Sequence, residues 1–319
     1  MACFLAVGLV GLAQDKQKFE LKLEKDKAFY QEVVTDVQQT IKVQGGSDLT
    51  QKHSHTFWFQ WMPTNFAADK WTVKQKIEGA KMAIDIVGNK IEYDTTNPNA
   101  GGATSNPNLA DFFGKLKDTE FVVTLGKGMV VEKVDGKDAF LAKLNSINPN
   151  MEAILKKMLS DEALKQMTDP SFGMTPPAEQ AASGTWEKKV TINLGPVGIY
   201  DVTYKFTYKG KDAVRKDFDR VEVVPTIVFK APTENADGLL FKIKGGELKT
   251  EDPKPDAKPN YILFNAKTGR IEESSVSIKM KGNVNVTIGG TDTTVEIYQE
   301  QTTTTKTSEK SYLPTADKK

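Results

Sequence analysis

Both histidines of the chain, and two of its four tryptophans, fall within the nine residues HSHTFWFQW, His53 to Trp61. On a strand, His53 and His55 leave the same face, about 6.5–7 Å apart. That spacing can chelate zinc or copper if a third ligand is supplied. The same parity puts Phe57, Phe59 and Trp61 on that face. The stretch therefore offers a metal site, an aromatic floor for a ligand, or a strand with one wet and one dry end.

The neighbouring strand decides between these. Residues 31–43 alternate as Val33, Thr35, Val37, Gln39, Ile41 and Val43, the period of a strand. Gly45-Gly46-Ser47-Asp48 is turn chemistry. A three-residue loop, Gly45 to Ser47, sets His55 against Val37 and Phe59 against Val33. A two-residue Gly45-Gly46 loop sets Asp36 against His55. Pairing apolar with apolar selects the odd loop, because a one-residue slip would turn the whole valine row outward. The histidines then lack an acidic partner, and no metal site is expected. The aromatic end is buried and the histidine end reaches the rim.

Other reactive constellations are missing from the sequence. It has no GxSxG, Walker loop, HExxH or GxGxxG. Asp135-Gly-Lys-Asp138 is too short for a calcium loop and reads as a turn followed by a helix cap. Cys3 is the single cysteine, so a mature chain without it has no thiol for disulfides, thiolate metal sites or nucleophilic catalysis. No catalytic residue and no cofactor is assigned, and an enzyme is not expected. Lys plus Arg is 43 against 42 for Asp plus Glu, which leaves no net field to steer a polyion. Only Arg215, Arg220 and Arg270 are arginines, and nucleic-acid binding is not expected without an arginine patch.

The chain of 319 residues, 39% apolar and 27% charged, can bury a sizeable core. Ala2 to Ala13 is an apolar run, too short to span a bilayer, with small residues Gly11 and Ala13 before a polar shift. It fits an export signal at 1–13, and the expected location is periplasmic or extracellular. Strand signals fill 14–107 and 184–308. The clearest strand carries Tyr200, Val202, Tyr204, Phe206 and Tyr208 on one face, with Asp201, Thr203, Lys205, Thr207 and Lys209 on the other. Between the strand-rich halves, 108–183 is expected to be helical with one β-hairpin. Phe140, Leu141, Leu144 and Ile147 are spaced helically. Met151, Ile154, Leu155, Met158 and Leu159 form an apolar stripe, and Leu164 and Met167 continue it or open another helix. Gly79 marks a bulge, Gly289-Gly290 a hairpin, and 309–319 a tail. The expected class is α+β: mainly antiparallel β-sheet in two halves, a curved sheet or half-barrel, with a central helical segment packed on it, compact as one domain.

The stretches GGSDLTQKHSHTFWFQW, DKWTVKQKIEGAKMAIDI, EFVVTL, VEKVDG, SGTWEKKVTINLGPVGIYDVTYKFTYKG and GRIEESSVSIKMKGNVNVTIGGTDTTVEIYQEQTTT make the chain resemble an uncharacterised family of exported bacterial proteins with planctomycete members. The resemblance implies export and a β-rich fold. It brings no activity and no catalytic residue.

Two functional expectations follow from the aromatic rows. In the first, a sheet-helix interior lined by Phe57, Phe59, Trp61, Tyr200, Tyr204, Phe206 and Tyr208 holds a hydrophobic small molecule, the layout of lipid carriers by architectural analogy. In the second, the core is filled and the protein is a structural or interaction component of the cell envelope. Its polar strand 301–307 would then pair with a partner's sheet edge. Neither expectation includes a transmembrane span in the mature chain.

Overall fold

The computed structural model describes residues 16–43, 46–97, 114–145, 156, 160–168, 176, 179–195, 198–233, 241–252 and 258–313. Among these residues the strands are β1 (Phe29–Val43), β2 (Leu49–Ala67), β3 (Lys70–Ile86), β4 (Asn89–Asp94), β5 (Glu120–Leu125), β6 (Val131–Asp135), β7 (Thr185–Asn193), β8 (Ile199–Lys211), β9 (Phe218–Lys230), β10 (Phe241–Thr250), β11 (Tyr261–Asn265), β12 (Arg270–Ile288) and β13 (Thr291–Ser308). The helices are α1 (Lys137–Asn145) and α2 (Asp161–Thr168).

All thirteen strands join one sheet, ordered β6-β5-β3-β2-β1-β13-β12-β10-β9-β8-β7, with β4 on β3 and β11 between β12 and β9. This corrects the α+β expectation. Among the described residues strand makes up 66% and helix 8%, so the protein is β-rich and has no central helical layer there. The hairpin expected in the middle segment forms as β5 and β6, and its apolar alternation docks it on β3 instead of opening a helical region. α1 follows it and buries Phe140, Leu141 and Leu144. The apolar positions of the stripe from Met151 to Leu159, and Ile147, lie outside the described residues.

The strand-rich halves are parts of one continuous sheet. β1 pairs with β13 from Tyr30↔Ser308 to Val43↔Val295. β13 is therefore internal, bonded to β1 on one side and β12 on the other. Two of its threonines bond across the sheet, Thr303 with Thr35 at 3.3 Å and Thr302 with Ser277 at 2.9 Å. Residues 301–307 thus offer no free edge to a partner, which removes the basis for that pairing.

The outermost strands of the hydrogen-bonded order are β6 and β7. α2 packs against both. The sheet is therefore curled until its two ends flank one helix, which covers edges that would otherwise invite pairing. The segment before β1 straps the concave side. Gln17 bridges to Gln180, and the Phe19 ring sits 5.2 Å from both Tyr208 and Phe264. Leu21 and Leu23 pack on the opposite core, and the Asp26 amide donates to the Pro63 carbonyl at 2.8 Å.

Parity on β1 and β2 is as expected, but the register differs by two residues. His55 faces Thr35, His53 faces Val37, Phe57 faces Val33 and Phe59 faces Gln31. Burial fixes which face points in. The position along the strand is set at the buried end. There Trp61 stacks on Phe29, with centroids 6.2 Å apart, and its indole N–H donates to Gln31 Oε1 at 2.8 Å. The expected bulge appears opposite Trp58 and Phe59. A side chain at Gly79 would be crowded there, its Cβ 3.0 Å from Thr95 Oγ1 and 3.2 Å from Trp58. Gly289 and Gly290, at φ 57° and 85°, turn β12 into β13, as a two-residue hairpin loop requires.

One core lies under β2, β3, β5, β6 and the helices, around Trp61, Val73, Val123, Leu125, Phe140 and Leu164. Another lies under β8, β9 and β11, around Phe206, Tyr208, Val223 and Phe264. Phe206 is 0% exposed and stacks on Trp186 with centroids 5.2 Å apart. Phe206→Ala is expected to lower unfolding stability by about 3–5 kcal/mol. Tyr204→Ala, at a half-buried position on the same face, is expected to cost less. Urea titrations of the two variants check the order.

A chamber on the concave face

β2 presents its inner face as a ladder of rings. His53 and His55 stack with centroids 6.1 Å apart, Phe57 and Phe59 at 5.8 Å, and Phe59 and Trp61 at 6.3 Å. Alternation along the strand dictates this row. The row faces a cavity of about 310 Å³, at the small end of the range for ligand pockets. Phe57, Phe59 and Trp61 form one wall. Tyr204 reaches it from β8, and Thr168 closes it from the end of α2. Val33, Ile271, Val276 and Ile278 add aliphatic surface.

Of the seven residues expected to line an interior, four meet here: Phe57, Phe59, Trp61 and Tyr204. Phe206 points inward but is consumed by the C-terminal core, its ring 6.2 Å from that of Tyr204. Tyr208 is buried beside it and donates to Asp219 Oδ1 at 2.7 Å. Burial, followed by this bond, pushes its phenol well above the usual range. Tyr200 packs on Phe229 toward the other end of the sheet, in the cluster around Val284 and Val295. These three lie outside the chamber because the strand crosses from one packed cluster to another along its length.

The sequence reading missed the polar part of the lining: Gln31, Gln75, Ser274, Gln301, Thr303 and Thr305. Gln301, Thr303 and Thr305 are the inward half of the threonine-rich strand, which alternation alone cannot assign to a dry or a wet face. Toward the histidine end an amide ladder crosses three strands. Gln51 donates to Gln39, Gln39 to Gln299 at 3.0 Å, and Gln299 to Gln301 at 3.4 Å.

The histidines form no metal centre with their neighbours. Among the described residues no group of three His, Cys, Asp or Glu side chains comes together. Burial holds the pKa of His53 below its ordinary value. His55 is lowered by burial and then by the charge of His53, with Asp36 opposing from across the sheet.

Two further clusters carry charge. A depression of about 500 Å³ on the opposite face is lined by Asp36, Lys52, Asp85, Lys90, Glu92 and Glu300, a solvated mixture of signs. At the β8–β9 hairpin, Arg220 donates to Asp212 at 3.0 Å, Lys211 to Asp219 at 2.9 Å and Arg215 to Glu273 at 3.1 Å. Arg220 also lies 4.7 Å over the Tyr261 ring. These charges are matched to one another, so the network braces the hairpin. Nothing in the spacing of the two arginines indicated it.

Residues 68–227 match a family described as "Family of unknown function (DUF6263)". No curated protein matches the chain in sequence. Among solved structures, the chain resembles lipovitellin, from work described as "Lipid-protein interactions in lipovitellin", at 10% identity and a TM-score of 0.43. That likeness covers 92% of this chain but only 26% of lipovitellin. OccK5 (OpdH) of Pseudomonas aeruginosa matches at 7% identity and a TM-score of 0.24, over 89% of this chain and 99% of that one. A putative AttH from Nitrosomonas europaea matches at 10% identity and 0.15, over 95% and 99%. Scores this low carry no argument about what the chain binds.

The depressed histidines make stability depend on pH. In the folded state each binds a proton less readily than in the unfolded chain, so stability is present above the ordinary histidine pKa near 6.5 and is lost as pH falls below it. His53→Gln with His55→Gln is expected to flatten this slope, measured as urea midpoints across the weakly acidic range.

Proposed function

As the chain belongs to the DUF6263 family of unknown function, we propose from its own geometry that it is an exported, non-enzymatic binding module whose chamber holds a small apolar ligand. The observation that carries this reading is the cavity of about 310 Å³ between rings from distant parts of the chain, Phe57, Phe59 and Trp61 on β2 and Tyr204 on β8. A void lined by aromatic rings from two strands forfeits contacts that a filled core would make, and a ligand restores them. Export is supported by the apolar run Ala2–Ala13, which lies outside the described residues. A non-enzymatic role is supported by the chamber lining, in which Tyr204 is the one ionisable side chain among the described residues. Among the described residues no helix is long and apolar enough to cross a membrane.

Native mass spectrometry after gentle purification tests the reading. The expected result is a bound apolar mass, or uptake of added fatty-acid or lipid probes. Val276→Trp, which fills the chamber from β12, is expected to abolish that mass while lowering stability by only about 1–3 kcal/mol. A uniformly empty protein that ignores every probe would remove the proposal.

A further inference from the structure

We infer that the chamber selects an uncharged amphiphile whose head carries hydroxyl or ester oxygens, and discriminates against a fatty-acid anion or a phosphate ester. This rests on the chamber being a ligand site and names the chemistry of its occupant. Among the described residues no Lys, Arg, His, Asp or Glu lines the cavity. An anionic head drawn into it would lose its water and meet no cation, and a buried unpaired charge is strongly disfavoured.

The lining is nevertheless not apolar throughout. Ser274 and Thr305 stand directly opposite each other on β12 and β13, and Ser274 is only 8% exposed. Neither hydroxyl, nor the amide of Gln75 on β3, has a hydrogen-bond partner among the described residues. Thr305 and Gln75 are half-buried, and polar side chains held away from bulk water are usually partnered. These two hydroxyls and one amide can each donate and accept, which suits the neutral oxygens of a hydroxyl or ester. In the same cross-strand row, Thr305 neighbours Val33 and Val33 neighbours Phe57. A polar head against Ser274 and Thr305 therefore places its chain along the Phe57–Phe59–Trp61 wall.

The experiment is calorimetric titration of the full chain with 1-decanoylglycerol, decanoate and decyl phosphate, each below its micelle concentration and at about pH 8, where both acids are ionised. The expected result is that decanoylglycerol binds at least about tenfold more tightly than either anion. In the near-isosteric double variant Ser274→Ala with Thr305→Val, decanoylglycerol is expected to lose about tenfold in affinity while decanoate changes little. Thermal unfolding of the variant confirms that it is folded, and Thr305→Val alone serves if the double variant is not. Decanoate or decyl phosphate binding as tightly as the glyceride overturns this inference and leaves the apolar-ligand reading standing. An unchanged preference in the folded variant also overturns it. If none of the three compounds binds, both readings fall.

Discussion

A single antiparallel sheet of this width has two edges and one apolar face to cover, and strongly twisted sheets much beyond about ten strands curl or split. This chain curls. β6 and β7, the ends of the hydrogen-bonded order, come to lie on either side of α2. The eight-residue helix covers both edges at once, and the sheet's inner face becomes an interior. The aromatic row of β2, Tyr204 of β8 and the hydroxyl row of β13 look into the same space only because of that closure. The strap from Gln17 to Asp26 depends on it too, since it spans from the β8 core to the β2 core across the concave side.

Curling does not by itself fill the interior. Each flank of the sheet forms its own dense core, one anchored by Trp61 and Leu125, the other by Phe206 and Val223. Between them run β1 and β13, whose inward residues alternate amides and hydroxyls with valines: Gln31, Val33, Thr35, Val37 and Gln39 against Thr307, Thr305, Thr303, Gln301 and Gln299. Such a stripe cannot collapse onto an opposing apolar surface without stranding hydrogen-bonding groups. The two cores therefore stand apart along it, and the chamber is the gap. Where the stripe turns aliphatic, at Ile41, Val43, Val295 and Ile297, the opposing strands do meet it, and Phe229 and Tyr200 pack closely there.

The same contrast explains the two histidines. They continue the aromatic ladder beyond Phe57 into the region of the amide ladder, half-buried. They share a strand and a face with the aromatic wall, but their neighbours are Thr35 and Val37, not carboxylates.

Much of this was legible before the structure. Period-two alternation identified β1, β2, β8 and the β5–β6 hairpin. It also identified which residues share a face, because parity is a local property of an extended backbone. Glycines located the bulge at Gly79 and the turn at Gly289-Gly290, because only their backbone conformations and lack of a Cβ fit there. Four residues of the chamber, Phe57, Phe59, Trp61 and Tyr204, were identified from alternation and ring size. What alternation does not encode is which strands become neighbours. The pairing of β1 with β13, separated by most of the chain, made the threonine strand an interior wall and not an edge. It also merged the two strand-rich halves and left the α+β expectation without its helical layer. The division of β8 between chamber, core and far cluster, and the two-residue register offset, were likewise decided by contacts between segments remote in sequence. Local periodicity fixes the face a side chain takes; only the closure of the whole sheet determines what that face meets.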